Sequence, residues 1–355
     1  MKSERRISEM LHFQQQIVFE FCRKLLQGAG VPEDEAAIVT DVLVDTSLEG
    51  IDTHGVSRLP VYLTRIQNGR INAKANIKVD RTAPSLANID GDNGLGQLVG
   101  VRSMQVAVKL AGEAGVGAVA VKHSNHFGAS SYYCKMASSC GMVGMAFTNT
   151  PSGIPPWGGK EAYFGTNPIS FAFPGKEQPV VIDMSSSTVA RGNIILAAKE
   201  GKPIPEGWAI DSEGRPTTDA RAALAGAVLP MAGPKGYAMA LAVEIMSGIL
   251  SGSAYGPRVG WIYDESTLPV NIGHFFLSID ISRLMPQSEF LSRMDHMTGE
   301  IKNSPRADGV KEIFIPGERR TNSARKRAGE GIPISPQLLD ELNKLAREMG
   351  VDPLE

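Results

Sequence analysis

The stretch "GVGAVAVKHSNHFG", residues 115–128, decides what kind of fold this chain adopts. Its first half is small and β-branched between glycines, a strand signature, and the segment behind it, "ASSYYCKMASSCG", reads as a helix. Side chains that leave a strand just before a helix project at the strand's C-terminal edge, where α/β sheets carry their ligands. Two of the chain's six histidines, His123 and His126, stand there, three residues apart.

Working outward, a helix, "QLVGVRSMQVAVKLAGEAG", and two short strand-like runs, "IKV" and "SLANI", lie upstream. Downstream come "MVGMAFTN", "PISFAFP" and "PVVIDM" as strands, a helix over 191–200 and a polar loop containing "GRPTTD". The most apolar helix of the chain, "GPKGYAMALAVEIMSGILSG", and the strand "GHFFLSID" close this middle. Alternating strands and helices make it α/β.

The ends read differently. "FQQQIVFEFCRKLLQGAG" carries Ile17, Phe21 and Leu25 at helical spacing and stops at Gly28 and Gly30. The next helix has Pro32 at its first position and acids in its first turn, where they suit the helix dipole. A third is expected from Ser57 through Asn68, with Leu59, Tyr62, Leu63 and Ile66 on one face and Gly69 past its end. The tail returns to helix in "PQSEFLSRMDHM", in the basic "RRTNSARKRAGEG", and in a segment begun by Ser335 and Pro336. No internal repeat or low-complexity linker is visible. The expected organisation is a helical N-terminal region over 1–75, an α/β core over 76–283, and a C-terminal helical region over 284–355 that packs back on the first.

At 355 residues and 42% hydrophobic, the chain can bury a large core without staples. Thirty-six basic against thirty-eight acidic residues leave a formal charge of −2, with no single-sign run of the kind that marks nucleic-acid or membrane binding. A small-molecule partner is expected. The three cysteines, Cys22, Cys134 and Cys140, form no CxxC pair, which suits a reducing compartment. The N-terminus "MKSERRISEM" leads into an amphipathic stretch, and no apolar run approaches the roughly 18 residues of a membrane helix, so the cytoplasm is the expected location.

Several constellations carry chemistry. In "DGDNGLGQLVG", Gly94, Gly96 and Gly100 follow a strand and open a helix as a dinucleotide fingerprint would. The spacing is one residue too long, and the next strand ends in Lys and His rather than in a ribose-binding acid, which favours a tight turn with close helix packing. "GIDTHGVSR" sets Asp52, His54, Ser57 and Arg58 on a short inter-helix loop, where Asp52 or Ser57 could cap the following helix. The four-residue step from His54 to Arg58 places both on one side of a helix start, and the arginine fork could clamp a carboxylate. For His123 and His126, three readings stand: a metal site with Asp52 or His54, packing, and acid–base work. The HExxH zinc signature is absent. "GPKGYAMAL" offers free N–H groups and Lys235 at a helix N-terminus, a pyrophosphate site or an ordinary helix start. "IDMSSS" ends a strand in small hydroxyls, and "IPGERR" places Glu318 where a carboxylate could accept ribose hydroxyls.

Taken in order, "DTHGVSRLPVY", "KHSNHFG", "GTNPISFAFP", "IDMS", "PKGY", "GHFFLSID" and "IPGE" resemble the motif series of the malate/L-lactate dehydrogenase family, over about residues 14–349. That family includes ureidoglycolate, sulfolactate and malate dehydrogenases and reductases of cyclic imines and of diketogulonate. The resemblance implies an α/β fold with a helical cap from both chain ends around a mixed-sheet, non-Rossmann nicotinamide-binding core of the L-sulfolactate dehydrogenase type. It implies NAD or NADP as cofactor, and a homodimer with its active site at the subunit interface. By the same resemblance His126 is the acid–base residue, with His54, Arg58 and Tyr62 on the substrate side. Thr150, Asp183, Met184, Ser185, Lys235, Gly236, Gly317 and Glu318 fall on cofactor-contacting motifs. Pro234 stands where many relatives have histidine.

The chemistry implied is interconversion of a small 2-oxo acid with its 2-hydroxy acid, without metal. A positioned imidazolium for the carbonyl oxygen and an arginine for the carboxylate are what it needs. The rival reading is a metal-dependent hydrolase using His54, His123, His126 and Asp52.

Overall fold

The computed structural model describes residues 10–264 and 268–355. The N-terminal stretch read above for targeting signals therefore lies outside the described residues, save Met10. After a short strand, β1 (Leu11–Phe13), come α1 (Gln15–Gly28) and α2 (Glu33–Leu48). In α1 the buried stripe is Val18, Phe21, Cys22, Leu25 and Leu26, whereas Ile17 is 50% exposed, one position off the expected face. Pro32 directly precedes α2 rather than opening it, with ψ 148°. A 3-10 turn over Val56–Arg58 leads into α3 (Leu59–Gln67), so the third helix begins two residues later than its spacing suggests.

The core sheet is mixed. Its strands are β2 (Lys78–Ala83), β3 (Leu86–Asp90), β4 (Val116–Ser124), β5 (Met142–Thr148), β6 (Ile169–Phe173), β7 (Val180–Met184) and, far along the chain, β11 (Ile272–Asp280). The order is β2-β3-β4-β11-β5-β6-β7, with only β3 and β4 parallel. A Rossmann sheet is parallel throughout its nucleotide half, and this one is not. Between β3 and β5 the chain forms α4 (Gly96–Ala114) and α5 (Ser130–Ser139), which cover one face over Val99, Met104, Val119, Val121, Tyr133 and Phe276.

Glycines in α4 and β4 permit this contact. A β-carbon on Gly117 would lie 2.0 Å from the Ala107 carbonyl, and one on Gly100 would lie 2.6 Å from the Tyr133 ring. The fingerprint-like glycines are thus packing positions.

Between β7 and β11 the expected helix forms as α6 (Arg191–Glu200), and where a polar loop was expected after it the chain adds β8 (Ala209–Ile210), β9 (Pro216–Thr217), α7 (Ala220–Ala225) and β10 (Ala227–Val228), closing a small core around Val189, Ile194, Ile204 and Val228. Asp219 caps α7 by accepting from the Arg221 and Ala222 amides. Elements of two to six residues are too short for periodicity to reveal. Next, α8 (Pro234–Glu244) runs into a π-helical turn over Ile245–Ile249, whose Met246 packs under Ala118, Ala120 and Phe275 on the sheet's second face.

The chain ends with α9 (Gln287–Asn303), α10 (Glu318–Glu330), β12 (Ile332–Ile334) and α11 (Pro336–Glu348). β12 pairs antiparallel with β1, Leu11 opposite Ile334. Leu342, Leu345 and Ala346 of α11 share one buried cluster with Leu25, Leu43, Leu59 and Leu63. Among the described residues no helix is long and apolar enough to cross a membrane.

Candidate active site

The site is built where β4 ends. Asn125 is buried and its Nδ2 donates to the Gly94 carbonyl at 2.8 Å and to Asn93, pinning the turn after the strand. Gly96, opening α4, lies so close that a β-carbon there would sit 2.3 Å from the Asn125 carbonyl and 2.5 Å from that of His126. Phe127 is buried and stacks at 4.4 Å on His274, whose ring bridges Ser124 Oγ and Thr148 Oγ1 at 2.8 Å each. Clamped on both sides, the His126 backbone has one direction in which to send its ring.

That ring meets α3. His126 Nδ1 and Tyr62 Oη are 2.6 Å apart, and the His54 ring centroid lies 5.5 Å from that of His126. Tyr62 is 1% exposed, and burial raises its hydroxyl pKa, so the phenol keeps its proton. Burial also depresses both imidazoles: His54 to about 4, helped by Arg58, and His126 well below its ordinary value, helped by His54 and Arg58. Burial thus disfavours the charged form of each ring.

Arg58 donates from Nε to the Thr53 carbonyl at 2.5 Å and lies over the Tyr263 ring at 5.6 Å. No carboxylate pairs with it among the described residues. A half-buried guanidinium without an anion beside two imidazoles has the charge and geometry to receive a carboxylate.

The other two candidates of the metal reading point elsewhere. His123, at φ 52°, bonds Asp90 at 3.0 Å on the opposite side of the strand end. Asp52 caps nothing: its carboxylate pairs with Arg327 of α10 at 2.5 Å, and Ser57 Oγ donates to its carbonyl. Among the described residues no three His, Cys, Asp or Glu side chains are grouped to hold a metal ion.

The residues expected at a cofactor fall into two groups. Asp183, at the end of β7, accepts from Ser130 Oγ at 2.9 Å, from the Ser131 amide at the start of α5, and from Arg320 Nη1 at 2.8 Å. Arg320 and Asp183 both bear electrostatically on His54, so this ion pair borders the histidines. Beyond it, Gly236 in the first turn of α8 is flush against the strand end, where a β-carbon would lie 2.9 Å from the Ser186 carbonyl. Ser185 bonds Ser187 at 3.0 Å, and Lys235 stands exposed at the same helix start. Thr150 is held by Asn167 and Thr166, and Asn167 in turn by the buried Glu244 at 2.6 Å. An ammonium and a helix N-terminus against a wall of small hydroxyls fit a nucleotide pyrophosphate.

Gly317 and Glu318 lie apart from that wall. Gly317 has φ 99° and packs on Val181. Burial works to raise the Glu318 pKa, but hydrogen bonds from Lys302 at 2.6 Å and from the Ile315 amide outweigh it and hold the carboxyl below its ordinary value.

Sequence reasoning missed Arg320 and Arg327, because in "RRTNSARKRAGEG" they read only as part of a basic helix. The signal was present only in their seven-residue spacing, which puts them on one face of α10. It also missed Asn125 and His274, which brace the loop from the core.

The sequence model of the malate/L-lactate dehydrogenase family matches residues 13–343. The chain is 42% identical over 328 residues to an L-sulfolactate dehydrogenase of Methanocaldococcus jannaschii, covering 92% of this chain and 94% of that protein. It is 41% identical over 345 residues to a malate dehydrogenase of Pyrococcus horikoshii, covering 95% of each. The solved structure of sulfolactate dehydrogenase from Methanocaldococcus jannaschii superposes with a TM-score of 0.91 at 40% identity, over 96% of this chain and 98% of that one.

Proposed function

The chain belongs to the malate/L-lactate dehydrogenase family and is a 2-hydroxy-acid oxidoreductase of it, and we propose that it interconverts a small 2-oxo acid and its 2-hydroxy acid with NAD or NADP, His126 moving the proton and Arg58 holding the carboxylate. The observation that carries this reading is the His126 ring held through Nδ1 by Tyr62 at 2.6 Å, beside an Arg58 that no carboxylate pairs with among the described residues.

In the oxidative direction, neutral His126 Nε2 accepts the proton of the substrate hydroxyl as the carbonyl forms. In the reductive direction it returns that proton to the developing alkoxide. The nicotinamide, when bound, supplies or takes up the hydride. Lys235, Gly236, Ser185, Met184 and Thr150 would hold the cofactor along the β7–α8 wall, with Asp183 fixing the start of α5 beneath it and Gly317 and Glu318 at the far end. Substrate binding favours the protonated imidazole: a carboxylate on Arg58 offsets the charge that, with burial, holds the His126 pKa down.

Large apolar side chains stand exposed along α8 and the turn after it, Leu241, Ile245, Ile249 and Leu250, a stripe that a second copy would cover in a homodimer with the site at its interface. All three cysteines are free, which suits a cytoplasmic protein. The helical ends over 1–75 and 284–355 would act as one cap on the α/β core over 76–283.

The test is a panel of 2-oxo acids and cyclic imines with NADH and NADPH, followed by loss of reduced cofactor. Turnover of a 2-oxo acid is expected, and inertness toward all of them contradicts the reading.

A further inference from the structure

We propose that Tyr263 is a positioning residue for this reaction: its ring, held over the face of Arg58, fixes the guanidinium plane so that the edge receiving the substrate carboxylate is in place before substrate arrives. The inference deepens the proposed function and rests on it for its catalytic meaning.

Residues 261–264 form a tight turn closed by the Asp264 amide, which donates to the Trp261 carbonyl at 3.0 Å. Ile262 and Tyr263 are its two central residues. The turn is anchored from below: the Gly260 amide donates to the Val270 carbonyl at 2.9 Å, and Ile262 packs on buried Val259, Val270 and Ile272. Three arginines of α3 and its flanks then take three successive residues of it. Arg65 Nη1 donates to the Ile262 carbonyl at 3.2 Å, the Arg58 guanidinium lies 5.6 Å from the centre of the Tyr263 ring, and Arg70 Nη1 donates to the Asp264 carbonyl at 3.1 Å. Arg65 is 2% exposed, and its Nε and Nη2 have no hydrogen-bond partner among the described residues. A cation so buried is costly, and the hydrogen bond its side chain does make goes to the carbonyl just before Tyr263.

Arg58 needs such a partner. Its Nε donates to the Thr53 carbonyl at 2.5 Å. One hydrogen bond fixes a point and leaves the guanidinium free to turn about it, whereas a ring over its face fixes the plane. A protein carboxylate would hold the arginine too, but it would occupy the N–H fork that a substrate carboxylate requires. An aromatic face attracts the cation through its π-electrons and uses up no donor. Tyr263 is a partner of the second kind. An arginine ordered in this way before binding loses less side-chain entropy when the carboxylate arrives.

Tyr263 is 54% exposed, so its replacement leaves the packed core intact. The experiment is NMR on full-length protein labelled with nitrogen-15 arginine, with the Arg58 Nε signal identified by its loss in Arg58→Lys. Wild type is expected to show an Nε–H that exchanges slowly with water. Tyr263→Leu should speed that exchange, and Tyr263→Phe, which keeps the ring, should restore it. In kinetics with a 2-oxo acid, Tyr263→Leu should raise KM roughly fivefold, the equivalent of about 1 kcal/mol for an exposed cation–π contact, with kcat and NAD(P)H affinity little changed. Tyr263→Phe should keep the wild-type KM. A fast-exchanging Arg58 Nε–H in wild type overturns the proposal. So does either an exchange rate or a KM that Tyr263→Leu leaves unchanged, and so does an equal loss in Tyr263→Phe, which would trace the effect to the hydroxyl. Because exchange is read without substrate, an Arg58 signal that responds to residue 263 in a protein that turns over no 2-oxo acid supports the positioning and removes only the functional reading.

Discussion

Arg327 and Asp52, 275 positions apart in the chain, form a two-pronged ion pair, Nη1 to Oδ1 at 2.5 Å and Nη2 to Oδ2 at 3.0 Å. Arg327 also donates to the Ser47 carbonyl at 2.6 Å, so α10 holds the start of the loop that carries His54 and Arg58 at two points. The pair is partly exposed, and such pairs add only about 0–1 kcal/mol to stability. Its weight falls on geometry. Arg327→Leu should leave the thermal midpoint nearly unchanged and lower kcat/KM roughly fivefold, equivalent to about 1 kcal/mol in substrate positioning. Steady-state kinetics with NAD(P)H titrations alongside check this, and weakened cofactor binding with normal substrate handling would count against it.

Arg58 has its Nε committed to Thr53 and its face on Tyr263, which leaves the Nη edge for a carboxylate. Lysine offers a point charge in place of the fork. Arg58→Lys should lower kcat/KM for carboxylate substrates by roughly ten- to a hundredfold, the effect of losing about 1.5–3 kcal/mol of charged hydrogen bonding. Fluorescence titration with NADH should be unaffected.

Lys235 stands exposed at the first turn of α8, against the end of β7. If it and the helix N-terminus hold pyrophosphate, Lys235→Met weakens NAD(P)H binding and leaves substrate preference alone. Identical cofactor titrations for the two proteins would return it to the solvated surface.

One buried and two half-buried histidines make stability depend on pH. Burial lowers His274 to about 3 and His54 to about 4, and pushes His126 down as well. Unfolded, each titrates near 6.5. Below that pH the unfolded chain binds protons that the folded chain refuses, so stability is full above about pH 6.5 and declines as pH falls toward 4, by up to about 1.4 kcal/mol per pH unit for each histidine. Urea midpoints at pH 8, 6 and 5 should fall in that order. His274→Gln should flatten the trend even where it lowers the midpoint at pH 8.

Much of this was legible locally. The loops "DTHGVSR" and "KHSNHFG" lie beside short elements with strong spacing, and His54, Arg58, Tyr62 and His126 converge in space. What pattern could not reveal is non-local. β11 enters the sheet between β4 and β5 after the whole α6–α8 excursion, a placement that nothing in "GHFFLSID" encodes. Asp183, which the sequence places only on a cofactor-contacting motif, is tied to Arg320 of α10. His123 and His126 are chemically alike in sequence; the φ of 52° at His123 turns one ring to Asp90 while the next loop residues carry the other to Tyr62. Pro32 and Ile17 show the smaller error, a helix face or boundary displaced by one residue, as end effects commonly are.

The central claim is that His126 moves the proton, and the most direct measurement is kcat for wild type and His126→Asn with the best 2-oxo acid, at the pH optimum and at saturating NAD(P)H. The account predicts a fall of roughly a hundredfold to ten-thousandfold, the span of general acid–base catalysis, with cofactor affinity intact. A variant that keeps kcat within about threefold of wild type, well below that span, would contradict it.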